Sequence, residues 1–290
     1  MDLISQGVVS GVLVGGLYAL MSLGLSLSWG ALKIINLAHF SFILLSAYFV
    51  YQLTLSYQID PLVTMVLVVP LFFGIGALMQ VFFHMVKVDE FKSLIITFGI
   101  FIILQSLIRT IWSADFRRIG SELNPYATES IHIGAVAFPV SQLVAFAAAV
   151  LIAVGMSLLL SRTYFGKAVR AVAQDREMAR AFGVDPRRVA VILSGLTTCF
   201  SALAGLFVAV GQTIFPGLAV SWFGIVFSVV ILGGLGNTVG TLTAGVIVGV
   251  ASNTAAVTWG PLSAPLVTFL ILIAALLFRP EGLLTRRSVA

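Results

Sequence analysis

Two polar side chains three residues apart, Asn36 and His39, stand near one end of an apolar stretch, so a helix would put them on one face as a polar stripe. His39 is the one ionisable side chain well inside such a stretch, with Arg109 near the end of another. The pair could line a solute path; a lone buried histidine could equally be a satisfied structural group. Gln212, beside Thr213 and ahead of Phe215-Pro216-Gly217, and Asn253, within Ser252-Asn253-Thr254, place uncharged polar groups near the ends of other stretches. They could hydrogen-bond a solute or a neighbouring helix. Gly236 and Gly240, like Gly245 and Gly249, lie four residues apart, each pair on one helix face, and Asn237 follows Gly236 directly. Small residues at that spacing allow close backbone approach, either for helix packing or along a path.

The elements that must position these residues are membrane spans. Of 290 residues 60% are hydrophobic and 9% charged, too few charges to cover a soluble fold of this size. Nine apolar stretches approach the ~20 residues that a helix needs to cross a bilayer: 4–29, 36–57, 61–83, 93–112, 135–160, 189–210, 214–235, 238–257 and 261–278. Alternating ten-residue segments are missing, which excludes a β-barrel. The expected fold is therefore all-α, a polytopic transmembrane bundle of eight or nine spans forming one domain over residues 1–290. The glycines between 214 and 257 point to a broken or re-entrant helix there. Met1-Asp2-Leu3-Ile4 lacks the basic start of a cleavable signal, so the first stretch reads as a retained span.

Charge placement orients the bundle. With the N-terminus outside and the C-terminus in the cytoplasm, 13 of the 16 Lys and Arg residues lie in inner loops, seven of them between 162 and 188. The net charge of +5 follows from this distribution and implies no nucleic-acid partner. None of the 11 acidic residues lies within a stretch, so proton- or sodium-driven transport has no intramembrane carboxylate to use. The phosphate-cradling pattern G-x-x-x-x-G-K-[ST] is also missing: Gly166-Lys167 is followed by Ala168, and Ser161 stands where the first glycine belongs. Uphill transport would need nucleotide hydrolysis by another subunit. The single cysteine, Cys199, excludes an intramolecular disulfide and a multi-cysteine metal site, and no metal site is expected.

Two polar islands interrupt the apolar pattern. The outer one, 113–133, reads as a docking loop or a solvated connector. The inner one holds five alanines between Lys167 and Phe182 and predicts a single helix over 167–182, stopped by Gly183. Ala168, Val172, Ala179 and Phe182 would share a face, with Arg170, Arg176 and Glu177 elsewhere. Such a helix either rests on headgroups or docks a soluble partner.

The segment Glu177-Met178-Ala179-x-x-x-Gly183 resembles the E-A-A-x-x-x-G loop of bacterial ABC-importer permeases, with Met178 replacing an alanine. The string from Gly166 to Gln174-Asp175, with Ala179 and Gly183-Val184, resembles the branched-chain amino-acid (Liv-type) permeases of the inner membrane. So do Gly16-Leu17-Tyr18-Ala19-Leu20 with Ile35-Asn36-Leu37-Ala38-His39, then Gly233-Gly234-Leu235-Gly236-Asn237, and Phe278-Arg279-Pro280-Glu281-Gly282-Leu283. Phe40 and Ser41 depart from the glycine and the polar or acidic residue usual after the histidine. The resemblance spans about residues 7 to 284. It implies a permease subunit, not an enzyme, working by alternating access in the bacterial plasma membrane and powered by partner ATPases that bind ATP and magnesium. It also implies a related permease partner, homo- or heterodimeric, two cytoplasmic ATPases and an extracytoplasmic solute-binding protein. On it, 162–188 becomes a coupling loop carrying Gly166, Arg170, Glu177, Ala179 and Gly183, with Asn36, His39, Gln212, Gly236, Asn237 and Asn253 as candidate path residues. The solute would be a branched-chain or other small apolar amino acid. A urea, amide or aromatic solute and a passive channel remain as alternatives.

Overall fold

The computed structural model describes residues 2–127, 129–133, 136–279 and 282–283, and among these the chain forms eleven α-helices and one short antiparallel hairpin. The helices are α1 (Asp2–Leu27), α2 (Ala38–Tyr57), α3 (Met65–Val86), α4 (Glu90–Trp112), α5 (Val140–Arg162), α6 (Tyr164–Gln174), α7 (Arg176–Ala181), α8 (Pro186–Gly211), α9 (Leu218–Gly233), α10 (Thr238–Trp259) and α11 (Ser263–Phe278). Each of the nine apolar stretches corresponds to one of them, and only α6 and α7 lie outside the set. Seven apolar runs of 20 to 29 residues are long enough to cross a membrane, the longest being α1 with its π-helical extension Ser28–Leu32. The helices α9 and α11 have 16 residues each. At ~1.5 Å per residue they reach about 24 Å, short of the ~30 Å hydrocarbon core.

The structure departs from the sequence-based expectation in four places. The stretch expected to start a span at 135 first forms strand β2 (Val136–Pro139), paired with β1 (Ser130–Ile133) so that Ser130 opposes Pro139. Pro139 keeps an extended backbone, and α5 begins just after it. The inner island forms two helices instead of one. Asp175 breaks the helix because its Oδ1 accepts from the backbone N–H groups of Glu177 (2.9 Å) and Met178 (3.0 Å), capping α7. Phe182, expected to share a face with Ala168, Val172 and Ala179, is 82% exposed while those three are buried. Finally, the interruption expected between 214 and 257 is the turn 234–237 between two continuous helices, with Gly234 and Gly236 at φ 87° and 77°.

Irregular backbone packs against the bundle at another place, residues 33–37, beside the first two turns of α4. Four of its backbone groups are satisfied by side chains, as buried backbone requires. The N–H of Ile35 donates to Ser93 Oγ and that of Leu37 to Thr97 Oγ1; the carbonyls of Ile34 and Ile35 accept from Ser28 Oγ and Thr97 Oγ1.

The interior is built from α1, α2 and α8, whereas α3, α4, α5 and α11 turn large apolar side chains such as Leu78, Ile103, Leu151 and Leu277 outward. In lipid such exposure carries no hydrophobic penalty. The most extensive pairing joins α1 to α10 through interlocked glycines. A Cβ on Gly11 would lie 2.6 Å from Val250 Cα, and one on Gly245 would lie 2.6 Å from Gly15 O.

The two ends of the bundle differ. One, the α6–α7 end, brings together Lys33, Glu90 and Arg176. At the other, the 113–133 loop is fastened to the helix ends: Asn124 Nδ2 donates to Val210 O (2.9 Å), and Arg117 exchanges backbone bonds with Ile214. Tyr126 donates its hydroxyl to Asp60 Oδ2 (2.8 Å), a bond to a carboxylate that raises the phenol pKa above its ordinary value.

Candidate functional site

His39 is 2% exposed and fully engaged. Its Nε2 lies 2.7 Å from Met21 O and its Nδ1 2.7 Å from Ser201 Oγ. A carbonyl can only accept, so Nε2 carries the proton, and in the neutral ring Nδ1 accepts from the serine hydroxyl. The ring thus ties α2 to α1 and α8, and the absence of a side chain at Gly24 makes room for it. Asn36, 4% exposed, is buried in the irregular segment just before α2, with no partner for its Oδ1 among the described residues.

A cavity of about 320 Å³ opens between α1, α5, α8 and α9. Its apolar wall includes Leu13, Leu17, Met21, Phe207, Trp222 and Ile225. Its polar groups come from Tyr18, Ser141, Gln142, Gln212 and Ser221, and no charged side chain is among the described residues that line it. Gln142 Oε1 is buried without a hydrogen-bond partner among the described residues. That leaves an acceptor with a desolvation cost of about 1–3 kcal/mol to recover from any donor that enters. Of the six candidate path residues only Gln212, the C-cap of α8, stands on this wall. Met21, whose carbonyl holds His39, forms part of the same wall, so His39 lies one residue removed from the cavity.

The other candidates lie elsewhere. Gly236 sits at the α6–α7 end, where its N–H lies 3.0 Å from Ser26 O and 3.1 Å from Ser26 Oγ and its backbone faces Gly30. Asn237 caps α10, its Oδ1 accepting from Gly240 N (2.9 Å). Asn253 is partly exposed on α10, away from the cavity.

At the α6–α7 end the residues expected to form a coupling loop differ in their surroundings. Gly166 packs against the Leu160 backbone with no room for a Cβ, and Arg170 Nη1 donates to Leu160 O. Ala179 is buried and Glu177 exposed. Gly183 takes φ 83°; its N–H donates to Arg180 O and that of Val184 to Ala179 O, both at 3.0 Å, which closes α7 in a Schellman motif. Arg176 Nη2 donates to Leu32 O (2.8 Å), the last residue of the π-helical turn that continues α1. Tyr164, Met178 and Phe182 project outward, 78%, 56% and 82% exposed.

The family model described as "Branched-chain amino acid transport system / permease component" matches residues 7–278. The chain belongs to this family. Among its relatives, the high-affinity branched-chain amino acid transport system permease protein BraD of Pseudomonas aeruginosa is 25% identical, over 98% of this chain and 96% of that protein. LivH of Salmonella typhimurium, of the same description, is 26% identical over 98% and 96%. The probable branched-chain amino acid transport permease protein LivH of Methanocaldococcus jannaschii is 24% identical over 97% and 93%. No solved structure matches. A multi-pass membrane permease of the branched-chain amino-acid ABC family is thus established as the class of this chain.

The permease cavity depends on residues that pattern reading passed over. Ser141 and Gln142 open α5, and Tyr18 and Trp222 are single polar-tipped aromatics in apolar runs. Their signal was present as isolated hydrogen-bonding groups within spans. What was missing was which faces of α1, α5 and α9 meet.

Proposed function

We propose that this permease is the membrane-spanning subunit of an ATP-driven importer of branched-chain or other small apolar amino acids. The observation that carries this reading is the uncharged, two-sided cavity. A zwitterion has no net charge to neutralise, but it brings ammonium donors and carboxylate acceptors. The orphan Gln142 Oε1 suits the ammonium, the Gln212 amide suits the carboxylate, and the alkyl chain can lie along Leu17, Met21 and Trp222. The names of the relatives favour the same solute class.

In this reading the α6–α7 end faces the cytoplasm, the N-terminus lies outside and the C-terminus inside. The exposed Tyr164, Met178 and Phe182 offer an apolar docking surface to one of two ATPase subunits, which bind ATP and magnesium. A related permease completes the pore, and a solute-binding protein delivers from outside to the fastened 113–133 loop. Hydrolysis-driven movement of the loop switches the cavity between outward and inward access.

The test is leucine uptake into proteoliposomes holding the assembled complex. Trp222→Ala enlarges the cavity and should shift preference toward bulkier side chains, with altered KM at unchanged assembly. If Trp222→Ala and Gln142→Leu both leave KM and side-chain preference as in the parent, the cavity is not on the solute path.

A further inference from the structure

A second concavity, of about 580 Å³, lies outside the helix interior at the seam between α3 and α8. Its walls are aliphatic: Val81 and Met85 from the last turn and a half of α3, Val191 and Ile192 from the start of α8. Val81, Met85 and Ile192 are all exposed, Met85 to 77%. Its rim carries two guanidinium groups, Arg187 and Arg188, beside the imidazole of His84. Arg188 bridges Asp185 at 3.2 Å, whereas Arg187 makes no ion pair among the described residues. Two arginines against the single Asp185 leave the rim net positive. These positions are the terminal turns of two spanning helices, where hydrocarbon gives way to headgroups.

We propose that this groove is a binding site for an anionic diacyl phospholipid. The phosphate sits between Arg187 and Arg188, and the acyl chains run along Val81, Met85, Val191 and Ile192 into the bilayer. Each half of the groove asks for a different half of the ligand. A bare hydrocarbon surface would leave the two guanidinium groups unused, and a soluble anion would leave four aliphatic side chains uncovered. Arginine forms bidentate bonds with phosphate oxygens, and the surplus positive charge selects an anionic headgroup over a zwitterionic one. The site is independent of the solute cavity, since none of its residues lines that cavity. It holds α3 against α8 close to where the coupling loop joins α8, so an occupying lipid would brace the root of that loop.

Native mass spectrometry of the full chain, released from detergent with phosphatidylglycerol, phosphatidylcholine or inorganic phosphate, tests the assignment. Retained phosphatidylglycerol adducts are expected at least fivefold above phosphatidylcholine, with no competition from phosphate. Arg187→Ala combined with Arg188→Ala should abolish that preference. Val191→Trp, which keeps the charges and fills the groove, should displace the lipid as well. Arg162→Ala, a basic change elsewhere on the same loop, should leave binding as in the parent. Melting temperatures of each variant separate loss of lipid from loss of fold. Equal retention of the two lipids, equal binding by the parent and the Val191→Trp chain, displacement by phosphate, or a matching loss in Arg162→Ala would each overturn the proposal.

Discussion

Gln142 and His39 are both buried polar side chains, and the difference between them is whether the protein already satisfies them. His39 has two short bonds, so its removal leaves Ser201 Oγ without its ring partner and takes a second donor from Met21 O, which the helical ladder of α1 still pairs. His39→Ala should therefore lower stability by about 1–3 kcal/mol, the cost of one buried polar group losing its partner. The expected readout is a reduced melting temperature with little change in KM for the protein that folds. Gln142 Oε1 has no partner to lose among the described residues. Gln142→Leu should keep the melting temperature and remove an acceptor for the solute ammonium. A bond to a charged group contributes about 1.5–3 kcal/mol, so KM for leucine should rise at least about tenfold. An unchanged KM with Gln142→Leu, or a large KM effect with an unchanged melting temperature in His39→Ala, would reverse the two assignments.

Among the elements, α7 is the shortest helix of the bundle, yet it touches the one that runs farthest. Arg176 at its start holds Leu32, and the π-helical turn Ser28–Leu32 continues directly into α1, whose Leu13, Leu17 and Met21 line the cavity. The same turn meets the α9–α10 connection, where Gly30 packs against Gly236. A displacement of α7 therefore has a continuous hydrogen-bonded and close-packed route to the cavity wall. π-Helical turns are frequent at functional sites, because one extra residue per turn leaves the ladder easy to rearrange. Arg176→Ala should leave the complex assembled and hydrolysing ATP while transport per ATP falls about tenfold, the equivalent of one charged hydrogen bond. Arg176→Lys, which restores a donor, should recover part of it. Equal transport per ATP in the parent and in Arg176→Ala would remove this link. Much of this element-level picture was legible beforehand. Nine apolar stretches became nine helices because period and length suffice in lipid, and Gly183 ended α7 as its position predicted. The split at Asp175 was not legible from alanine content, because a single carboxylate capping two N–H groups outweighs helix propensity. The glycines Gly245 and Gly249 revealed close packing but not their partner. Gly11 and Gly15 of α1 supply it, and only the three-dimensional pairing shows that.

At the scale of the whole molecule, the charges set the expectation for both orientation and energy source. By the expected topology 13 of the 16 basic residues lie on the side of 162–188, while every acidic residue lies outside the nine apolar stretches. A bundle with that distribution should insert with the α6–α7 end in the cytoplasm, and it offers an ion gradient no buried carboxylate to protonate. Cys199 is buried, so replacing it with serine gives a background for labelling. In that background Gln174→Cys, on the exposed end of α6, should react with a membrane-impermeant maleimide only after the cells are opened. Labelling in intact cells would invert the topology. The same distribution predicts how uptake is driven. In proteoliposomes containing the assembled complex, leucine accumulation should require nucleotide on the α6–α7 side and persist when a protonophore collapses the pH gradient. Accumulation by this chain alone, driven by an imposed pH gradient and abolished by the protonophore, would show that a titratable group has escaped the charge map, and His39 would be the first residue to suspect.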